Sequence, residues 1–464
     1  MRRMVFETKK HNYRFNTWVL LALGFLGVII IGAVLLMLPV CNREPIAPFD
    51  AFFMATTAVC VTGLVTVTPA TQFTLLGKCI LLILIQIGGL GVIGCVTLFF
   101  FLLRRQMDMK QQMVLQESYN TEGIAGVVLL VKKILLGTFL VEGAGAVCYA
   151  FTFVPRFGLL KGIFYSVFHA ISAFCNAGID VLGADSLAGY VTDVPVNITT
   201  ILLIVVSGIG FTVWFDVLDN MRKLRQKNHS GKGLAARLTL HSKAALTMTG
   251  ILLAGGWILN LLLEWDNPGT LGSLEPGQKI LAAAFQSVTT RTAGFYTFSQ
   301  GAMHQGTKLL NCLLMFIGGS PGGTAGGVKT TTILVLLLSC ITLIRGGEDT
   351  ELFGRRISGK NVRTCFALVT LAFLVLITGT VLIAFFEGDG VPLSDILYET
   401  TSAIGTVGLS ADLTASLHRA SQAVIMVMMY IGRLGPMTLA LVFVRRKNPR
   451  DKIRRYPEDN IMIG

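Results

Sequence analysis

Charge is scarce in this sequence. Only 14% of its 464 residues are Asp, Glu, Lys or Arg, against about 25% in an average soluble domain, while 53% are hydrophobic. A chain so poor in charge cannot cover a folded surface with water-facing side chains, which excludes a soluble globular protein and points to an integral membrane protein. Paired cysteines are missing too. None of the nine cysteines stands in a CxxC pair, so neither a zinc site nor a disulfide framework is supported. No nucleophile-base pair or metal-ligand cluster stands out, which argues against an enzyme. The first apolar run follows MRRMVFETKKHNYRFN and has no small-residue cleavage site behind it; it is read as a span, not as a removable signal peptide.

What is present is apolar length. Runs of about 20 to 30 residues, enough to cross a hydrocarbon core of roughly 30 Å as helices, lie near 17–40, 74–103, 124–153, 196–218, 244–265, 308–343, 364–386 and 420–444. They predict an all-α membrane protein with eight transmembrane helices. The formal net charge of +13 could suggest nucleic acid, but its placement argues otherwise: 29 of the 39 Lys and Arg fall in 1–16, 104–133, 219–243, 345–363 and 445–464, each after an even number of spans. That is a positive-inside pattern with both termini cytoplasmic, and the basic runs read as solvated cytoplasmic faces.

Between the two spans of each pair lies a shorter stretch rich in Ala, Ser and Thr: FDAFFMATTAVCVTGL (49–64), YSVFHAISAFCNAGI (165–179), ILAAAFQSVTTRTAGF (280–295) and DILYETTSAIGTVGL (395–409). Each ends in a glycine followed by a hydrophobic residue. Gly63, Gly178, Gly294 and Gly408 are separated by 115, 116 and 114 residues, so the chain divides into four units, 1–110, 111–228, 229–350 and 351–464, each a span, a re-entrant loop and a span. With two spans per unit the units enter the membrane in the same direction. Four parallel units can surround one axis, and non-helical backbone at membrane depth is tolerated where it lines a water-filled cavity.

The loops point to a monovalent cation. Asp50 and Asp395, both 13 residues before their glycine, suit the starts of short inward-running helices whose carboxyl ends favour a cation at the axis. Extended stretches are expected next: Val59, Cys60, Val61, Thr62 and Gly63; Phe174, Cys175, Asn176, Ala177 and Gly178; Thr290, Arg291, Thr292, Ala293 and Gly294; and Ile404, Gly405, Thr406, Val407 and Gly408. The glycine allows backbone angles that aim carbonyl oxygens into a pore. None of these stretches carries a carboxylate, which disfavours a divalent filter.

The loop motifs TTAVCVTGL, HAISAFCNAGI, SVTTRTAGF and TTSAIGTVGL resemble those of the Trk/Ktr/HKT superfamily of potassium transporters over nearly the whole chain. Eight spans without an added amino-terminal pair, and the tail YPEDNIMIG, are similar to the Ktr branch. The resemblance implies potassium uptake through a channel-like pore, with the four glycines as filter glycines. In plant relatives serine at the first of these positions accompanies sodium selectivity, so four glycines favour potassium; a sodium-permeable member of the same fold is the alternative. A homodimer docked on a cytoplasmic ring of nucleotide-binding subunits of the RCK/KTN type is also implied. No cofactor is expected in this chain.

Gly318, Gly319, Ser320, Pro321, Gly322, Gly323, Thr324, Ala325, Gly326 and Gly327 interrupt the second span of the third unit, which a plain helix would not survive. The resemblance implies an intramembrane gating loop; a structural kink is the competing reading. A nucleotide-binding loop fails because Val328 replaces the glycine before Lys329 in GTAGGVKT. Arg433, inside the last span, either braces carbonyls or, as the resemblance implies, faces the pore beside the loop. Arg291 would repel cations in the pore and is expected behind the filter, against Glu399. His169 and Glu399, both nine residues before a filter glycine, are expected to tie loops together. Thr62 and Asn176 could offer oxygens near the ion path or pack the loops, Lys329 could pair with the interrupting segment, and the glycines of IGGLGVIG (87–94) read as close helix packing.

Overall fold

The computed structural model describes residues 17–91, 94–95, 97, 127–225 and 233–435. The expected cytoplasmic termini, the tail motif and the junction near residue 110 lie outside these residues. A sequence of long helix, short helix, glycine and second helix is traced four times. The long helices are Thr17–Met37, Val127–Phe157, Leu240–Glu264 and Gly359–Glu387. The short ones are Pro48–Cys60, Leu159–Cys175, Pro276–Thr289 and Leu393–Gly405. Proline stands at or just before the start of three of the short helices, where its fixed φ suits the first turn and its missing N–H is not needed.

Three helices among the described residues are long and apolar enough to cross a membrane alone: Val19–Met37, Leu240–Glu264 and Gly359–Gly390. Of the second helices, none crosses unbroken among the described residues. An unbroken helix over 196–218 is not what forms: Val194–Ile209 and Phe211–Leu224 meet at 95°, because Gly210 takes a positive φ and Phe211 N–H bonds the carbonyl of Gly322 in another unit. Leu75–Leu90 stops at Gly91 and Arg419–Leu434 at Gly435, both with positive φ. The third second helix ends at Phe316 and resumes at Thr330–Ile344. A short antiparallel ladder, Glu351–Leu352 with Arg355–Arg356, lies before the fourth long helix.

The core gathers around the short helices. Phe53, Phe168, Phe285 and Tyr398 are fully buried, and in Pro48–Cys60 every residue from Asp50 on except Phe52 is buried. A helix buried nearly all round belongs inside other protein, whereas the long helices carry many exposed large side chains, as with Ile31, Val34, Leu262 and Phe385.

Ion pairs join the starts of short helices to the starts of second helices. Arg419 grips Asp50 with two hydrogen bonds, 2.5 and 2.9 Å, and lies over the Phe49 ring. Lys308 reaches Asp395 at 2.7 Å. The two acids thus face cations as well as their own helix N-termini. Because Arg419 is half exposed, Asp50→Asn should destabilise the protein by about 1 kcal/mol, read as a lower unfolding midpoint in detergent; Arg419→Gln added to it should cost little more.

Candidate functional site

The four short helices end side by side; three unwind by the same turn, and the third takes a further right-handed turn at Thr290 before it unwinds. Val61, Asn176, Thr292 and Thr406, each two residues before a spaced glycine, take left-handed backbone angles. Their glycines follow with φ of 103°, 63°, 84° and 95°. Small hydroxyls hold the turn: Thr57 Oγ1 accepts from Gly63 N–H at 2.9 Å, Ser402 Oγ from Gly408 N–H at 3.0 Å, and Ser172 Oγ donates to Ile179 O at 2.6 Å. The Ser and Thr enrichment of these stretches thus satisfies backbone groups that the helix ends leave open.

The glycines form a ring. A Cβ on Gly63 would strike the carbonyl oxygen of Ala177, one on Gly178 that of Ala293, one on Gly294 that of Val407, and one on Gly408 that of Thr62, each within 2.7 Å. Each glycine therefore touches the residue preceding the next, around a closed circuit. A cavity of about 240 Å³ opens on one side of it, lined by all four glycines, Asp180, Tyr296, Ser410 and Asp412.

The Gly318–Gly327 segment lies on the opposite side of the ring. It folds back on itself, with Ile317 and Val328 bridged, Gly318 N–H on Val328 O, and Gly319 N–H on Gly326 O. Its tip reaches the bend at Gly210. Thr324 Oγ1 donates to Phe174 O at 3.0 Å and accepts from Asn176 Nδ2 at 3.2 Å. Gly326 N–H donates to Thr292 Oγ1 at 3.2 Å, and Gly326 is so close to Thr406 Oγ1 that a side chain there has no room. Three of the four left-handed residues thus meet the segment.

Three cations bond its carbonyls. Arg433 donates to Thr324 O at 2.8 Å and to Gly88 O and Gly89 O of the first unit. Lys329 donates to Ala325 O at 2.7 Å, and Arg291 to Gly318 O at 3.2 Å.

Several expectations are corrected. The unwound stretch is shorter than expected, because Val59, Cys60, Phe174, Cys175, Ile404 and Gly405 are still helical. Arg291 does not pair with Glu399, which accepts from Ser410 Oγ, Ala411 N–H and Thr414 Oγ1 and so fastens the loop after its own glycine. His169 does not bond a second loop: its Nδ1 meets Tyr165 O one turn back in the same helix, among the rings of Tyr149, Phe153 and Phe295. In IGGLGVIG, Gly88 and Gly89 pack closely against Val59 and Cys175, but Gly91 has open space and marks the helix break. Sequence reasoning missed Gln86 and the buried Glu142, bonded at 3.1 Å beside Cys175, and Ser207, which bonds Asn176. The hydroxyl six residues before three of the glycines could have been found by aligning the units.

The sequence matches the family described as TrkH, cation transport protein, over residues 6–456. The chain belongs to the TrkH family of cation transport proteins. It is 40% identical to Ktr system potassium uptake protein B of Bacillus subtilis, over 97% of both chains. To the potassium/sodium uptake protein NtpJ of Enterococcus hirae it is 38% identical, over 99% of this chain and all of that one. The crystal structure of the potassium transporter TrkH from Vibrio parahaemolyticus has the same fold, with a TM-score of 0.73 at 18% identity over 96% of this chain and 87% of that one. The TrkH family is one of transporters, and the ring is where its shared fold brings four backbones together in this chain.

Gly408→Ala forces a methyl against Thr62 O and a positive φ on alanine. It should cut cation flux at least tenfold, whereas Gly255→Ala, in open space on a long helix, should leave flux within twofold of native.

Proposed function

We propose that this chain is the membrane subunit of a potassium uptake system, and that potassium crosses it through the glycine ring. The ring itself carries the reading: four short helices end on it, so the negative ends of their dipoles and the adjacent carbonyl oxygens favour a cation there without any carboxylate. The four units, 1–110, 111–228, 229–350 and 351–464, are parallel span, re-entrant loop, span repeats in an eight-span protein of the bacterial cell membrane with both termini cytoplasmic. The Asp180 and Asp412 cavity is the outer mouth. The residues from Val61 to Gly63, Asn176 to Gly178, Thr292 to Gly294 and Thr406 to Gly408 are the selectivity filter.

Gly318–Gly327 is the gate. It lies under the filter, and its glycines let backbone occupy a space that admits no side chain. Arg433 holds it shut by bonding Thr324 O and the end of the first unit's second helix; both readings of this arginine, brace and barrier, describe that one position. The protein works as a homodimer on a cytoplasmic nucleotide-binding ring of the RCK/KTN type, consistent with the relative named as part of a Ktr system. A sodium-permeable transporter is the second reading, favoured by the likeness to a potassium/sodium uptake protein.

Flux into liposomes, with potassium and sodium gradients in parallel, tests these points. Potassium-preferring flux that Gly63→Ser weakens is the expected result, and equal flux of both ions would replace the first reading by the second. Arg433→Ala should raise flux severalfold, and unchanged flux would remove this residue from the gate.

A further inference from the structure

We propose that Arg291 and Thr292 are positioning residues that latch the Gly318–Gly327 loop to the third filter segment, so that cation occupancy of the ring and the conformation of the loop control each other. The proposal rests on the filter and gate assigned above. Two neighbouring residues hold the two ends of one loop: Arg291 donates to Gly318 O and Thr292 Oγ1 accepts from Gly326 N–H. Both are buried, and both lie within three residues of Gly294. Thr292 is one of the left-handed residues that aim the ring, so its backbone cannot turn without moving its hydroxyl away from Gly326.

The second unit repeats the arrangement through a different side chain, Asn176 bonding Thr324, and the fourth presses Thr406 against Gly326. Arg433 differs from all of these, because it ties the loop to Gly88 and Gly89 and not to a filter segment. Loss of Arg433 therefore frees the loop from a helix end, whereas loss of the latch uncouples it from the ring. A cation that draws the four backbones of the circuit together steadies Thr292 and with it the loop. By linkage, a loop held closed raises the ring's affinity for that cation by the same factor.

Hydrogen exchange of the amides from Gly318 to Val328, measured on the full chain in lipid nanodiscs with potassium or with choline, tests the latch. In the native protein the loop should exchange at least tenfold more slowly in potassium. Thr292→Val, which exchanges one hydroxyl for a methyl, and Arg291→Met should exchange fast in both media, while Arg291→Lys should keep part of the difference. A native loop indifferent to potassium, or a Thr292→Val loop still protected by it, overturns the latch; if Arg291→Met fails to fold, Thr292→Val decides alone. Flux through Arg433→Ala, measured separately, judges the gate, so a latch that fails beside a gate that holds is recognised as such.

Discussion

Four main chains meet in this protein with no side chain between them. A Cβ on any of Gly63, Gly178, Gly294 or Gly408 would enter the carbonyl oxygen of the neighbouring unit, so the closeness is between backbones and cannot be relieved by a rotamer change. That closeness dictates the layers around it. To deliver a glycine to the circuit each short helix must stop abruptly, and it does so through a left-handed residue that is not glycine. Such residues cost on the order of 1–3 kcal/mol each. Hydroxyls on Thr57, Ser172 and Ser402 and the burial of the short helices' carboxyl ends keep the strained turns in place.

Beneath the ring, cationic side chains end on main-chain carbonyls of the Gly318–Gly327 segment: Arg291 on Gly318, Arg433 on Thr324 and Lys329 on Ala325. A charged donor on a carbonyl makes a stronger bond than a neutral one, and more so where water is excluded. The loop's own bonds are mostly between backbones, and these three long residues and the turns above it hold it from outside. The same side chains gather positive charge around the segment, on the side of the ring away from the Asp180 and Asp412 cavity.

The ring was legible in the sequence because its period was: glycines 115, 116 and 114 residues apart can be counted without knowing any contact. The interrupting segment was equally plain, since ten residues of glycine, proline and small polar side chains cannot continue a helix. Hydropathy concealed the other interruptions. The residues on both sides of Gly91 and Gly210 are apolar, and an apolar run reads the same whether the helix is straight or bent through 95°. The ends of the short helices are hidden for a related reason, as Val59 and Cys60 have no feature that distinguishes the last helical turn from the first residue beyond it. The partner of Arg291 is hidden in the sequence, because the carbonyl of Gly318 leaves no trace there and the carboxylate of Glu399 does. Asp50 and Asp395 were recognised as helix starters, while their cations, far along the chain, were not.

The pairing of Asp50 with Arg419 also bears on how the molecule is made. The two residues are 369 positions apart, so a ribosome adding about 5–20 residues per second delivers the arginine roughly 20 to 70 seconds after the aspartate. Throughout that interval the first short helix is present without the charge that will hold its amino end, and the circuit of four glycines has a gap between its first member and a fourth not yet synthesised. Water, lipid headgroups or the insertion machinery must tend that carboxylate in the meantime. Closure of the ring is therefore a late step of biogenesis, because Gly408 and Thr62, which meet in it, come from opposite ends of the chain.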